Sequence, residues 1–161
     1  MVRKVRKGFT LVELLIVIVI IGILAAAMLL ASSSATDNAE ASNVINDLRS
    51  MKTAAMMLYA DTKLGSASSA AATTLDLAAL AKYMDNPQRI TEDNGYMFDA
   101  TTVTGQWWVG IDLEKTKKAT GVRQRLEMRA ATIGLFGAKN AGALYVASAS
   151  EIYMRAILNM Q

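Results

Sequence analysis

Apolar and polar positions follow two different patterns in the first part of the chain. From Phe9 to Ala31 twenty-three residues carry one ionisable side chain, Glu13. Further on, Ala41, Val44, Ile45, Leu48, Met51, Ala55 and Leu58 recur at the i, i+3, i+4 spacing of one helix face, with Asn43, Asn46, Asp47, Arg49 and Lys52 elsewhere. As a helix the first stretch reaches roughly 35 Å, enough to cross a ~30 Å hydrocarbon core. The joining residues SSSATDNAEAS contain no glycine or proline. The pattern therefore predicts one helix from about Thr10 to Thr62, ~80 Å long, apolar all round at first and amphipathic afterwards.

The remainder predicts shorter elements. GSASSAAATT, Gly65 to Thr74, reads as an exit loop. Leu75 to Met84 has helical spacing, with Asp76 in its first turn and Lys82 in its last, and Asp85-Asn86-Pro87 ends it. Tyr96 to Asp99 and Gln106 to Leu113 are aromatic and β-branched around Thr101 to Gly105, which predicts a β-hairpin. A helix is expected from about Val122 to Leu135 and a strand over 142–147. Ser148 and Glu151 have the spacing of a capping box before EIYMRAILNM, leaving a final helix or a strand open. The fold class expected is α+β: one long N-terminal helix packed against a small antiparallel β-sheet head. About 130 residues outside the apolar stretch suit one modest domain.

Before the apolar stretch, Arg3, Lys4, Arg6 and Lys7 stand without an acid. Positive charge there holds the N-terminus in the cytoplasm and sends the rest outward. A secretory signal is the plain alternative, with Ser33-Ser34-Ala35 as a small-residue cleavage site. Against it, the stretch exceeds the usual signal core of about 7–15 residues. Glu13 is also costly in such a core, since ionisable residues in a span cost on the order of 2.5–3.5 kcal/mol at the bilayer centre. A carboxylate kept there is a functional candidate.

The residues KGFTLVELL, Lys7 to Leu15, resemble the cleavage and methylation signature of type IV prepilins and of the pseudopilins of type II secretion. The resemblance implies a leader, 1–8, removed by prepilin peptidase between Gly8 and Phe9, with methylation of the new N-terminus at Phe9. It implies a transmembrane and filament-core helix over 9–31, its amphipathic continuation over 32–64 and a globular head over 65–161, the ladle shape of a pilin. Implied partners are copies of the chain in a helical filament, the peptidase and N-methyltransferase, an inner-membrane assembly platform, and membrane lipid before assembly. The implied location is a single pass of the cytoplasmic membrane, then a cell-surface filament. Glu13 is the residue expected to fix register: in a core of apolar helices its carboxylate requires a positive partner, which the free amine of Phe9 on a neighbour supplies. Many family members have a proline where Leu30 stands here, leaving Gly22 as the weak point of the helix. The C-terminal disulfide loop common in Gram-negative relatives has no counterpart, because the chain has no cysteine. Within this resemblance a pilus subunit, a pseudopilin of secretion or DNA uptake, and a minor adhesive or membrane-anchored binding protein all stand open.

Charge and chemistry narrow the picture further. Loss of the leader removes four of the 17 basic residues and leaves 13 against 14 acids, a net charge of −1. The basic balance of the whole chain is thus no argument for nucleic-acid binding. Locally, Lys115, Lys117, Lys118, Arg123, Arg125 and Arg129 outnumber Glu114 and Glu127. Such a run is usually a solvated helix face; the other reading is a patch for DNA or another anionic surface. Trp107 and Trp108 are adjacent, so in a strand one is expected to pack on the long helix and the other to face out, with packing favoured over ligand binding. TEDNG, Thr91 to Gly95, has a fragment of calcium-loop character and reads better as a turn. With no histidine and no cysteine, the common general base and the thiolate are missing, so no catalytic residue, metal site or cofactor is assigned.

Overall fold

A computed structural model of the chain describes residues 8–64, 75–100, 106–139 and 143–157. The leader over 1–7, the exit loop expected over 65–74 and the hairpin turn expected over 101–105 lie outside the described residues. The chain divides into two units, Met1–Thr36 and Asp37–Gln161.

Helix α1 runs Leu11–Leu64, as the uninterrupted helical pattern requires. In the first unit its large apolar side chains are exposed, from Leu11 to Leu29. Its apolar stretch is long and apolar enough to cross a membrane, by length and composition. In the second unit Ala41, Val44, Ile45, Leu48, Met51, Ala54, Ala55 and Leu58 of α1 are all buried in the core. The amphipathic stripe read from sequence is therefore the face that packs against the sheet.

That sheet has four strands: β1 (Tyr96–Asp99), β2 (Trp107–Asp112), β3 (Leu135–Phe136) and β4 (Glu151–Ile157), in the order β1-β2-β4-β3 with every neighbour antiparallel. The expected hairpin is present, with Tyr96 opposite Ile111 and Asp99 opposite Trp108. The last element is a strand, not a helix: Ile152, Met154 and Ala156 alternate into the core, and Ile152 and Met154 sit opposite Ile111 and Val109. Period-two burial of these side chains prevails over the capping-box spacing of Ser148 and Glu151. Over 142–147 the only pairing among the described residues is a bridge from Leu144 to Phe136.

Helix α2 is shorter than expected, Leu77–Ala81. Asp76 stands before it as N-cap, accepting from Ala79 N at 3.0 Å, rather than inside the first turn. It ends in tight i to i+3 bonds from Tyr83 to Leu80 and Met84 to Ala81. Helix α3, Thr120–Ile133, buries Val122, Leu126 and Ala130 and closes on Gly134, whose φ of 77° is the left-handed geometry of a glycine C-cap.

Polar side chains tie loops to α1. Tyr96 donates to Asp47 Oδ2 at 2.5 Å, and Arg89 Nη2 reaches the same oxygen at 3.2 Å. Asp47→Ala is expected to lower stability by about 1.5–3 kcal/mol, mostly through the Tyr96 bond because Arg89 is half exposed. Urea unfolding of the full chain in detergent measures this. Burial first, and the Asp47 carboxylate second, hold the Tyr96 phenol above the usual tyrosine range; burial and Glu151 do the same for Tyr153. Both phenols stay protonated in the fold after they would ionise in the unfolded chain. Stability from this source is complete below about pH 10 and is lost as the pH climbs toward the raised folded values. Unfolding midpoints that do not fall between roughly pH 9 and pH 11 would contradict it.

Candidate functional site

The N-terminal end of α1 contains the residues that the sequence singles out. Gly8 is exposed and Phe9 is 90% exposed, and Thr10 precedes the first helical residue. Thr10 N donates to Glu13 Oε2 at 2.8 Å, Thr10 Oγ1 donates to the same oxygen at 2.8 Å, and Glu13 N donates back to Thr10 Oγ1 at 3.2 Å. These are the reciprocal bonds of a capping box, with Thr10 as N-cap and Glu13 three residues on. Two backbone N–H groups at a helix start, which would otherwise lack partners, are satisfied within the chain itself. A carboxylate there also complements the positive end of the helix dipole.

Sequence reasoning found Glu13 by its charge and missed this role. The signal was present, since T-L-V-E is the S/T-x-x-E pattern. Both bonds from Thr10 end on Oε2. A carboxylate has about four acceptor sites on two oxygens, so this one can accept an ammonium without giving up its cap. Around it Leu11, Val12, Leu14, Leu15 and Ile16 are exposed, so Glu13 lies on an apolar surface. Gly22 lies within α1, and nothing stands within 4 Å of where its Cβ would be.

The second candidate group divides into two buried indoles and a basic run of which part is paired. Trp107 is buried against α1 and β1, edge-on to Tyr59 at 5.3 Å and to Phe98 at 5.6 Å. One of the two rings is expected to face out, but Trp108, on the opposite face of the strand from Trp107, is only 1% exposed. The chain leaving α3 lays Phe136 edge-on over it at 5.6 Å, so the outer face of the sheet is covered at this point. Neither indole offers a flat face to a ligand.

The basic run is partly consumed inside the head. Lys118 Nζ pairs with Glu40 of α1 at 3.1 Å, Arg129 Nη1 donates to Ser42 at 2.9 Å, and Lys115 Nζ donates to the Glu92 carbonyl at 2.6 Å. Asp37 lies against Gly121 in the first turn of α3, so closely that a Cβ on Gly121 would stand 1.9 Å from Asp37 Oδ2. Lys118 and Arg129 thus face acidic and polar groups of α1. Lys117 stands in the left-handed region at φ 50°. TEDNG is a hydrogen-bonded turn, Gly95 N donating to the Glu92 carbonyl at 2.9 Å. Among the described residues there is no group of three or more acidic side chains placed to hold a metal ion.

A long N-terminal helix packed with a four-stranded antiparallel sheet is the α+β arrangement of pilins. Residues 3–29 match the family model of the prokaryotic N-terminal methylation motif, which is the signature of type IV pilins and pseudopilins. Over this segment the chain is thus similar to type IV pilins and pseudopilins, and its apolar N-terminal helix is consistent with membrane anchoring. No curated protein and no solved structure matches the chain.

Proposed function

We propose that this chain is the structural subunit of a type IV pilus-like filament and does no catalysis of its own. The observation that carries the reading is the exposed apolar surface of α1 from Leu11 to Leu29, interrupted by one carboxylate that its own N-cap already holds in place. In a membrane that surface faces lipid. On assembly it is buried against copies of the same helix, which become its solvent.

Prepilin peptidase cuts between Gly8 and Phe9, and Phe9 is methylated at its new amine. Glu13 then pairs with the Phe9 ammonium of a neighbouring subunit. A subunit docked out of register leaves one of these charges buried alone, at a cost of roughly 3–5 kcal/mol. The cap from Thr10 holds the carboxylate at the start of the helix in every subunit, so the partner meets it in a fixed place. Gly22 is the softest position in the helix, where a residue costs about 1 kcal/mol relative to alanine. The head forms the outer surface.

Shearing cells and comparing the chain in long fibres with the chain in membranes tests the reading. Abundant chain in fibres micrometres long is expected. Recovery in the membrane fraction alone would favour the pseudopilin task, in which the same N-terminal chemistry builds a short assembly for secretion or DNA uptake.

A further inference from the structure

We propose that Asn94 is a latent deamidation site that the turn around it keeps closed. Of the asparagines in the chain, only Asn94 precedes glycine. An Asn-Gly pair cyclises most readily because glycine has no Cβ to obstruct its amide. The Gly95 nitrogen, losing its proton, attacks Asn94 Cγ and forms a new C–N bond. The Cγ–Nδ2 bond breaks and ammonia departs with that proton. Water then opens either carbonyl of the imide, giving aspartate or its β-linked isomer, with no oxidant or reductant involved.

In the folded chain both the attacking nitrogen and the leaving group are held. The attacking nitrogen of Gly95 donates its N–H to the Glu92 carbonyl at 2.9 Å, and Lys115 Nζ donates to the same carbonyl at 2.6 Å. The Gly95 carbonyl accepts from Asp112 N at 2.8 Å, so the residue is pinned on both sides. The leaving group is held too, Asn94 Nδ2 donating to the Arg89 carbonyl at 2.9 Å, while Asn94 N donates to Thr91 O at 3.1 Å and lies 3.3 Å from Thr91 Oγ1. Gly95 has a φ of 77° and is buried; a Cβ there would come within 2.9 Å of Asp112 O. The turn therefore needs glycine at the position that makes its neighbour reactive, and the fold suppresses the reaction by geometry.

Reaction is one-way for the turn. An aspartate at 94 has no N–H to give the Arg89 carbonyl and adds a negative charge beside Glu92 and Asp93. The β-linked isomer lengthens the backbone just before β1, whose first residue, Tyr96, is anchored on Asp47. A modified turn cannot close as before.

Peptide mass spectrometry with isoaspartyl methyltransferase labelling, on the full chain in detergent at mildly alkaline pH, with and without urea, tests this. Conversion at Asn94 is expected in urea and at least about tenfold slower in the folded chain, because reaction must wait for local opening. Asn94→Gln should abolish the signal, and Lys115→Ala or Thr91→Ala should speed conversion in the folded chain. Equal rates with and without urea, no conversion in urea, or unlocking variants no faster than the parent chain would each overturn the proposal.

Discussion

Replacing Glu13 by alanine is expected to leave the chain in the membrane and cut the yield of filaments on the order of a hundredfold or more, since a buried ammonium stripped of its partner costs roughly 3–5 kcal/mol per contact. Alanine also removes the capping box, so a second substitution separates the two roles of this side chain. Glu13→Gln keeps a carbonyl oxygen to accept from Thr10 N and Oγ1 but carries no charge. If the charge fixes register, glutamine fails as alanine does. If the cap alone matters, glutamine assembles like the parent chain and alanine loses only about 0.5–2 kcal/mol of helix stability. Quantifying the chain in sheared fibres against the membrane fraction for both variants decides between them, and normal fibres from Glu13→Gln would end the register argument.

The second large effect is expected at Trp108. Were this ring on the surface, its removal would alter stability by no more than about 0.5 kcal/mol. Buried beneath Phe136, Trp108→Ala is expected to cost about 3–5 kcal/mol, the range for emptying a large aromatic site in a core. Trp108→Phe should be milder. Among the described residues the indole Nε1 finds no acceptor, and an unpaired buried N–H carries a penalty of about 1–3 kcal/mol that phenylalanine does not. Urea unfolding of the full chain in detergent, followed by circular dichroism, measures both. A near-neutral alanine variant would mean that the outer face of the sheet is open to solvent.

These two positions also mark what sequence could and could not disclose. The long helix was legible because its stripe, Ala41 to Leu58, follows one period over several turns and buries the face expected. The hairpin was legible from β-rich runs on either side of a glycine-containing turn. Trp108 was not, because alternation along a strand says which face a side chain takes and nothing about whether that face is covered. Its cover, Phe136, lies 28 residues away in a two-residue strand too short to announce itself. The partners of the basic run were hidden for a similar reason: Glu40 and Ser42, which answer Lys118 and Arg129, stand more than 70 positions earlier on α1. Capping was legible in principle at both ends of the chain. The same spacing closes a box at Thr10 and Glu13, where a helix begins, and none at Ser148 and Glu151, where strand pairing with β2 decides the local structure.

The most direct test of a processed, self-assembling subunit is mass spectrometry of the N-terminus of the chain recovered from sheared cell-surface fibres. The account predicts a chain that begins at Phe9 and carries a methyl group on its amine. A chain still beginning at Met1, or one cut near Ala35 and released as soluble protein, would contradict it.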